Sequence, residues 1–133
     1  MSTPNNVQTM EQQRAAFALQ TIESYLGLNK TRQTELRRYI VQIPALIHMN
    51  GLGQALAFYR MKGRDSTHEI IYQTLGQWLC QEKAGRVFDG TEHDLLKAIT
   101  SADMFRYMAA QSEALALLEW LKKLATALLH KED

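Results

Sequence analysis

Apolar residues recur along this chain at intervals of three and four, the spacing that gathers side chains on one face of an α-helix. From Thr9 to about Leu26 the stripe is Ala15, Ala18, Leu19, Ile22, Tyr25 and Leu26, with Thr9 and Gln12 placed as a capping box and Gly27 as the stop. A second helix opens near Thr31 and turns Leu36, Tyr39, Ile40, Ile43 and Ile47 inward. Pro44 falls inside this pattern and is expected to kink or restart the helix, because it removes a backbone donor. A tight corner follows, with Asn50-Gly51 supplying left-handed backbone. Leu52 to Tyr59 then resumes as a helix with Leu52, Ala55, Leu56 and Tyr59 on one face, while Gly53 and Ala57 make a second face small enough for another helix to approach closely.

Ser66 or Asp65 is placed to cap a further helix, with Glu69 completing a Ser-x-x-Glu box and Ile70, Ile71, Thr74, Leu75, Trp78 and Leu79 as its core stripe up to Gly85. Arg86 to Gly90 reads as a loop with a turn at Asp89-Gly90. Thr91 is the expected cap of a short helix holding Leu95, Leu96 and Ile99, and Ser101 that of the last and longest helix, from about Ala102 to His130. There Leu117, Leu118, Trp120, Leu121, Leu124, Ala125 and Leu128 cover more than half the circumference, which predicts packing on two sides. No stretch alternates with period two for long enough to be a strand. The expected fold is all-α: a flexible tail over residues 1–8, then one bundle of five to six helices over 9–133, ending in a long C-terminal helix.

The bulk numbers narrow the function classes. A chain of 133 residues buries about 70% of its unfolded surface, enough for one core. No run of 18 uncharged apolar residues suggests a membrane span, and the first residues, MSTPNNVQT, lack the basic and apolar pattern of a signal or transit peptide. Cys80 is the only cysteine and sits in an apolar run, so it reads as a buried thiol in a reducing, cytoplasmic setting. The net charge of +1 conceals an asymmetry: Lys30 to Arg64 holds seven basic side chains against one acid, Glu35, whereas residues 65–133 hold seven against eleven. That concentration of cations is the electrostatic footprint of a polyanion partner.

Candidate chemistry is sparse. His48, His68, His93 and His130 fall on different elements without HExxH or related spacing, so no metal is expected. There is no phosphate-binding glycine loop, and Gly51-x-Gly53 lacks both the preceding strand and the third glycine. Cys80 has no histidine near it in sequence, and Glu92 and Asp94 read as first-turn charges that complement a helix dipole. No catalytic constellation emerges, and neither an enzyme nor a cofactor or small-molecule site is expected. The remaining signal is cationic helix surface. Arg37 has no carboxylate three or four residues away, while Arg38 can pair with Glu35, Arg14 with Glu11, Arg106 with Asp103, and Lys122 and Lys123 with Glu119. Arg60, Lys62 and Arg64 cluster where they also offset a helix dipole. Such charges suit a phosphate backbone, and nothing in the chain offers base readout.

The run Asn50 to Phe58, NGLGQALAF, resembles the signature of the small helical subunit, the fifth component, of the Cmr complex, a type III-B CRISPR RNA-guided effector. The likeness extends to Arg14-Ala15-Ala16-Phe17-Ala18, to Tyr39 and Ile43-Pro44, to Lys62, and to Phe105-Arg106, Glu113-Ala114-Leu115 and Leu118 to Ala125 near the end, with Phe105 standing where a tyrosine is expected. The resemblance implies a non-catalytic subunit whose copies stack as a minor filament beside other Cmr subunits and hold the guide and target RNA backbone. By carry-over the RNA contacts are Arg14, Arg37, Lys62, Arg106, Lys122 and Lys123, with Arg38 and Arg60 behind them. A pure protein–protein scaffold in the same assembly is the alternative. A helix-turn-helix regulator fits less well, because Leu52 to Tyr59 is too apolar to read bases.

Overall fold

A computed structural model describes residues 7–132. Five α-helices follow in order: α1 (Met10–Tyr25), α2 (Lys30–Met61), α3 (Thr67–Gly76), α4 (Leu95–Thr100) and α5 (Met104–Leu128). No strand occurs among the described residues, so the all-α bundle and its long last helix stand as expected. The expected flexible tail lies outside the described residues except for Val7 and Gln8, whose carbonyl accepts from Gln13 Nε2 at 3.2 Å.

α5 is the strut, flanked by α1 and α2. Both neighbours run antiparallel to it. On one side Glu11 meets Trp120 and Arg14 meets Glu113. On the other Gln33 meets His130, Arg37 meets Thr126, and Leu52 meets Gln111. Between them the apolar stripes close one core, in which Ile22, Leu36, Ile43, Ile47, Leu52, Leu117 and Leu118 are fully enclosed. The stripe of α1 is turned slightly from expectation. Phe17 joins Ala18, Ile22 and Tyr25 inside, while Leu19 and Leu26 stay exposed, because the ring of Phe17 packs on Trp78 with centroids 4.8 Å apart.

The corner in α2 falls at Gly51 alone. Its φ of 85° and ψ of 160° lie in a region essentially reserved for glycine, whereas Asn50 has no positive φ. A restarted helix exposes unpaired N–H groups. Here two are taken up by α5: Leu52 N donates to Gln111 Oε1 at 2.9 Å and Gly53 N to the Tyr107 hydroxyl at 2.8 Å. Gly53 therefore admits a tyrosine of α5, while Ala57 is exposed. Pro44 does not break the helix, whose only non-helical residue is Gly51. The buried isoleucines on either side, Ile40, Ile43 and Ile47, hold the helix through the one lost hydrogen bond.

Three expected helix starts shift or lose a partner. Ser66 caps α3 as read, but the carboxylate of Glu69 turns to Arg60 instead of closing the box. Asp94, not Thr91, caps α4, since Thr91 is held by Asp89 Oδ1 through both its N–H and its hydroxyl. Asp103, not Ser101, caps α5. The helix of α3 ends at Gln81, short of Gly85, in a π-turn over Gln77–Gln81 that sets Trp78 against the glycine; a Cβ on Gly85 would stand 2.1 Å from the indole.

Candidate functional site

The eight cations singled out in the sequence divide into two kinds. Arg14 and Arg60 are bound within the fold. Arg14, on the inner side of α1, donates from Nε and one terminal nitrogen to the two oxygens of Glu113, at 2.7 and 2.8 Å, and from the other nitrogen to Glu11. Glu113 also accepts from Trp78 Nε1 at 3.0 Å, and Glu11 from Trp120 Nε1 at 3.1 Å, so the cluster ties α1, the π-turn and α5 together. The hydrogen bond with Glu113 holds the Arg14 pKa well above its ordinary value, against the opposing effect of burial. Arg60 lies over the ring of Tyr72, 4.2 Å from its centroid, and bonds Glu69 at 2.9 Å. It also reaches Asp94 at 3.4 Å, and Asp94 accepts from the Tyr72 hydroxyl. Burial works to lower the Arg60 pKa, but Glu69 and its neighbours outweigh it and the net direction is up.

The others keep their charge outward. Glu35 accepts from Thr67 Oγ1 at 2.7 Å, because α3 begins beside it, so Arg38 lacks the expected partner and lies 5.1 Å from the centroid of Tyr39 instead. Arg37 is half-buried and, among the described residues, donates only to the carbonyl of Thr126, at a long 3.4 Å, while its buried Nε has no described partner. Lys122 reaches Glu119 at 3.7 Å; Lys123 has no described carboxylate within 4.0 Å. Lys62 sits 4.6 Å above the ring of Phe58, and Arg106 reaches the carbonyl of Val87, its expected partner Asp103 being used as the helix cap.

The antiparallel register of α2 and α5 brings part of this set together. Thr126 touches Arg37, and Lys123 lies one helical turn before Thr126 on the same face. A cleft of about 310 Å³ at that end is lined by Arg37, Arg38 and Lys131. Lys131 is a cation that the sequence reading passed over, since nothing in its local spacing shows that the chain folds back there. Lys62 belongs to a separate cleft of about 330 Å³ with Arg32 and His68, and Arg106 to one beside Phe88 and Asp89. The cations thus form a seam with outliers and not one continuous patch.

Among the described residues no three His, Cys, Asp or Glu side chains converge to hold a metal ion. The Cys80 thiol is fully enclosed, and burial, reinforced by Glu92 and Asp94, pushes its pKa up to about 11, which leaves it unreactive. Leu52, Leu56 and Tyr59 face the core, and the side chains this arm of α2 exposes include Ala57, Phe58 and Met61, which offer no hydrogen bond to a base edge. Among the described residues no helix is long and apolar enough to cross a membrane.

The described residues form an all-α bundle in which Arg14, Arg60, Glu69 and Glu113 pair within the fold, Gln33, Thr67 and Thr74 are hydrogen-bonded inside it, and other cations carry no described carboxylate partner. The family of CRISPR-associated proteins described as Cas_Cmr5 matches residues 10–128, and this chain belongs to it. The chain is similar to the CRISPR system Cmr subunit Cmr5 of Thermus thermophilus, with 31% identity over 97 residues that span 73% of this chain and 77% of that one. It also resembles the crystal structure of a CRISPR-associated Cmr5 family protein from the same organism, at a TM-score of 0.73 and 27% identity over 92% of this chain and 98% of the other. The likeness carried by NGLGQALAF and the last helix is borne out.

Proposed function

We propose that this protein is a non-catalytic small subunit of a type III-B CRISPR effector, that its copies stack as a minor filament, and that it steadies the guide and target RNA by their backbones. Family membership supports the place in the complex. The observation that carries the RNA contact is the α2–α5 seam, where Arg37, Arg38 and Lys123 have no described carboxylate within 4.0 Å. Lys62, Arg106 and Lys122 extend the contact, whereas Arg14 and Arg60 serve the fold that positions it. Exposed apolar side chains at Met49, Phe58 and Met61, and at Met104, Phe105 and Met108, supply surface for neighbouring subunits. An isolated copy with a few phosphate contacts binds weakly, with Kd about 10⁻⁴–10⁻⁶ M, and useful affinity comes from several copies along one strand.

The test is to purify the tagged protein with its partners and crosslink the bound RNA. The reading expects a co-purifying small guide RNA, and a K122E/K123E variant that still assembles but loses its crosslink. Assembly with the crosslink unchanged would favour the pure scaffold.

A further inference from the structure

Beyond Leu128 the chain does not trail away. Leu129 turns to extended backbone and is buried, and His130 N donates to Gln33 Oε1 at 3.0 Å. Gln33 is itself 8% exposed, and its Nε2 donates to the carbonyls of Leu26 and Leu28. One enclosed glutamine therefore ties the end of α1, the start of α2 and the C-terminal segment. The following residues are delivered to the cleft of about 310 Å³, which Lys131 and Glu132 line together with Arg37 and Arg38. No aromatic ring lines it, so it offers no stacking platform for a base. It offers two guanidinium groups, whose planar forks match the oxygens of a phosphate, and an ammonium from a second segment.

We propose that this cleft seats one phosphate group of an RNA backbone between Arg37, Arg38 and Lys131, and that the Glu132 carboxylate, which also lines the cleft, opposes the seated anion. The proposal rests on the RNA-contact reading above and adds to it a site completed by the C-terminal segment and restrained by its own carboxylate. Arg37 fits the role because its one described hydrogen bond, from a terminal nitrogen to the Thr126 carbonyl, is long at 3.4 Å, unlike the carboxylate-bound Arg14 and Arg60.

The experiment titrates a fluorescent, unstructured RNA oligonucleotide into the full chain at several salt concentrations. K131Q is expected to weaken binding about fivefold at low salt, and E132Q to strengthen it by a similar factor, the size of one charge–charge contact near water. Loss of one seated phosphate also flattens the log–log salt dependence of K131Q by about 0.7. Both side chains are exposed, so the folded state should be unaltered, as a thermal melt will show. RNA binding by the wild type with both variants unchanged overturns the seat and leaves the RNA reading standing. The same result together with lost assembly assigns the cleft to a protein carboxylate instead. Should the wild type bind no RNA, that reading and the seat fall together.

Discussion

The two flanks of α5 treat arginine in opposite ways. Toward α1, α5 presents Glu113, which holds Arg14 through two hydrogen bonds and Trp78 through a third. Toward α2 it offers Arg37 no described carboxylate, and that arginine touches the carbonyl of Thr126 at 3.4 Å. The first flank uses its charges to fix three elements in place; the second leaves Arg37 and Arg38 without a described carboxylate within 4.0 Å. A basic residue is informative about a partner only after the carboxylates of its own fold have been counted. The same count explains Arg60, whose position after the corner looks like exposed charge in the sequence but which Glu69 and Asp94 enclose.

Cutting the first flank gives the largest expected effect. Glu113→Ala strands Arg14 beside Glu11 alone and leaves Trp78 Nε1 without an acceptor, at a cost of about 3 kcal/mol. Denaturant unfolding checks this, and the matching cut on the second flank, Arg37→Gln, should cost under about 1 kcal/mol. If the two variants prove equally destabilised, the contrast between the flanks is wrong. Glu69→Gln comes next, at about 2 kcal/mol, because it removes a charge-assisted bond from an enclosed guanidinium. A double-mutant cycle with Arg60→Gln should return a coupling of about 1–2 kcal/mol, whereas a cycle between Lys122 and Glu119, 3.7 Å apart at the surface, should return less than about 0.5 kcal/mol.

These partners mark how far the sequence could be read. The stripes of α2 and α5 were visible because a 3.6-residue period is a local property, and the corner was visible because its backbone geometry admits only glycine at position 51. Helix starts were less so. Thr91, Asp94, Ser101 and Asp103 are all capping residues within a short stretch, and tertiary contacts such as the Tyr72 hydroxyl on Asp94 decide among them. The π-turn leaves no periodic trace. Charge pairing was the least legible, since spacing along one helix reveals Glu11 beside Arg14 but not Glu113, which lies 99 residues away. Lys131 was missed for the same reason: the bond from His130 to Gln33 that delivers it spans 97 residues.

The smallest expected effect tests whether Lys62, an outlier of the seam, is an open charge. His68 stacks on Tyr39 at 4.1 Å and meets Tyr59 edge-on at 4.8 Å, in the cleft that Lys62 also lines. Burial, and then the nearby ammonium of Lys62, hold its pKa below the ordinary 6.5, with Glu35 pulling weakly the other way. The folded protein therefore binds fewer protons than the unfolded chain just beneath that pH. This contribution to stability is complete above about pH 6.5 and declines as the pH falls toward the depressed value. Lys62→Gln removes the like charge but not the burial, so the His68 pKa should rise part of the way toward 6.5 and the decline in Tm should become shallower. Imidazole NMR titration of the two proteins measures the shift directly. An unchanged His68 pKa would mean that the Lys62 charge is already neutralised where it stands, and Lys62 would then join Arg14 and Arg60 among the cations the fold keeps for itself.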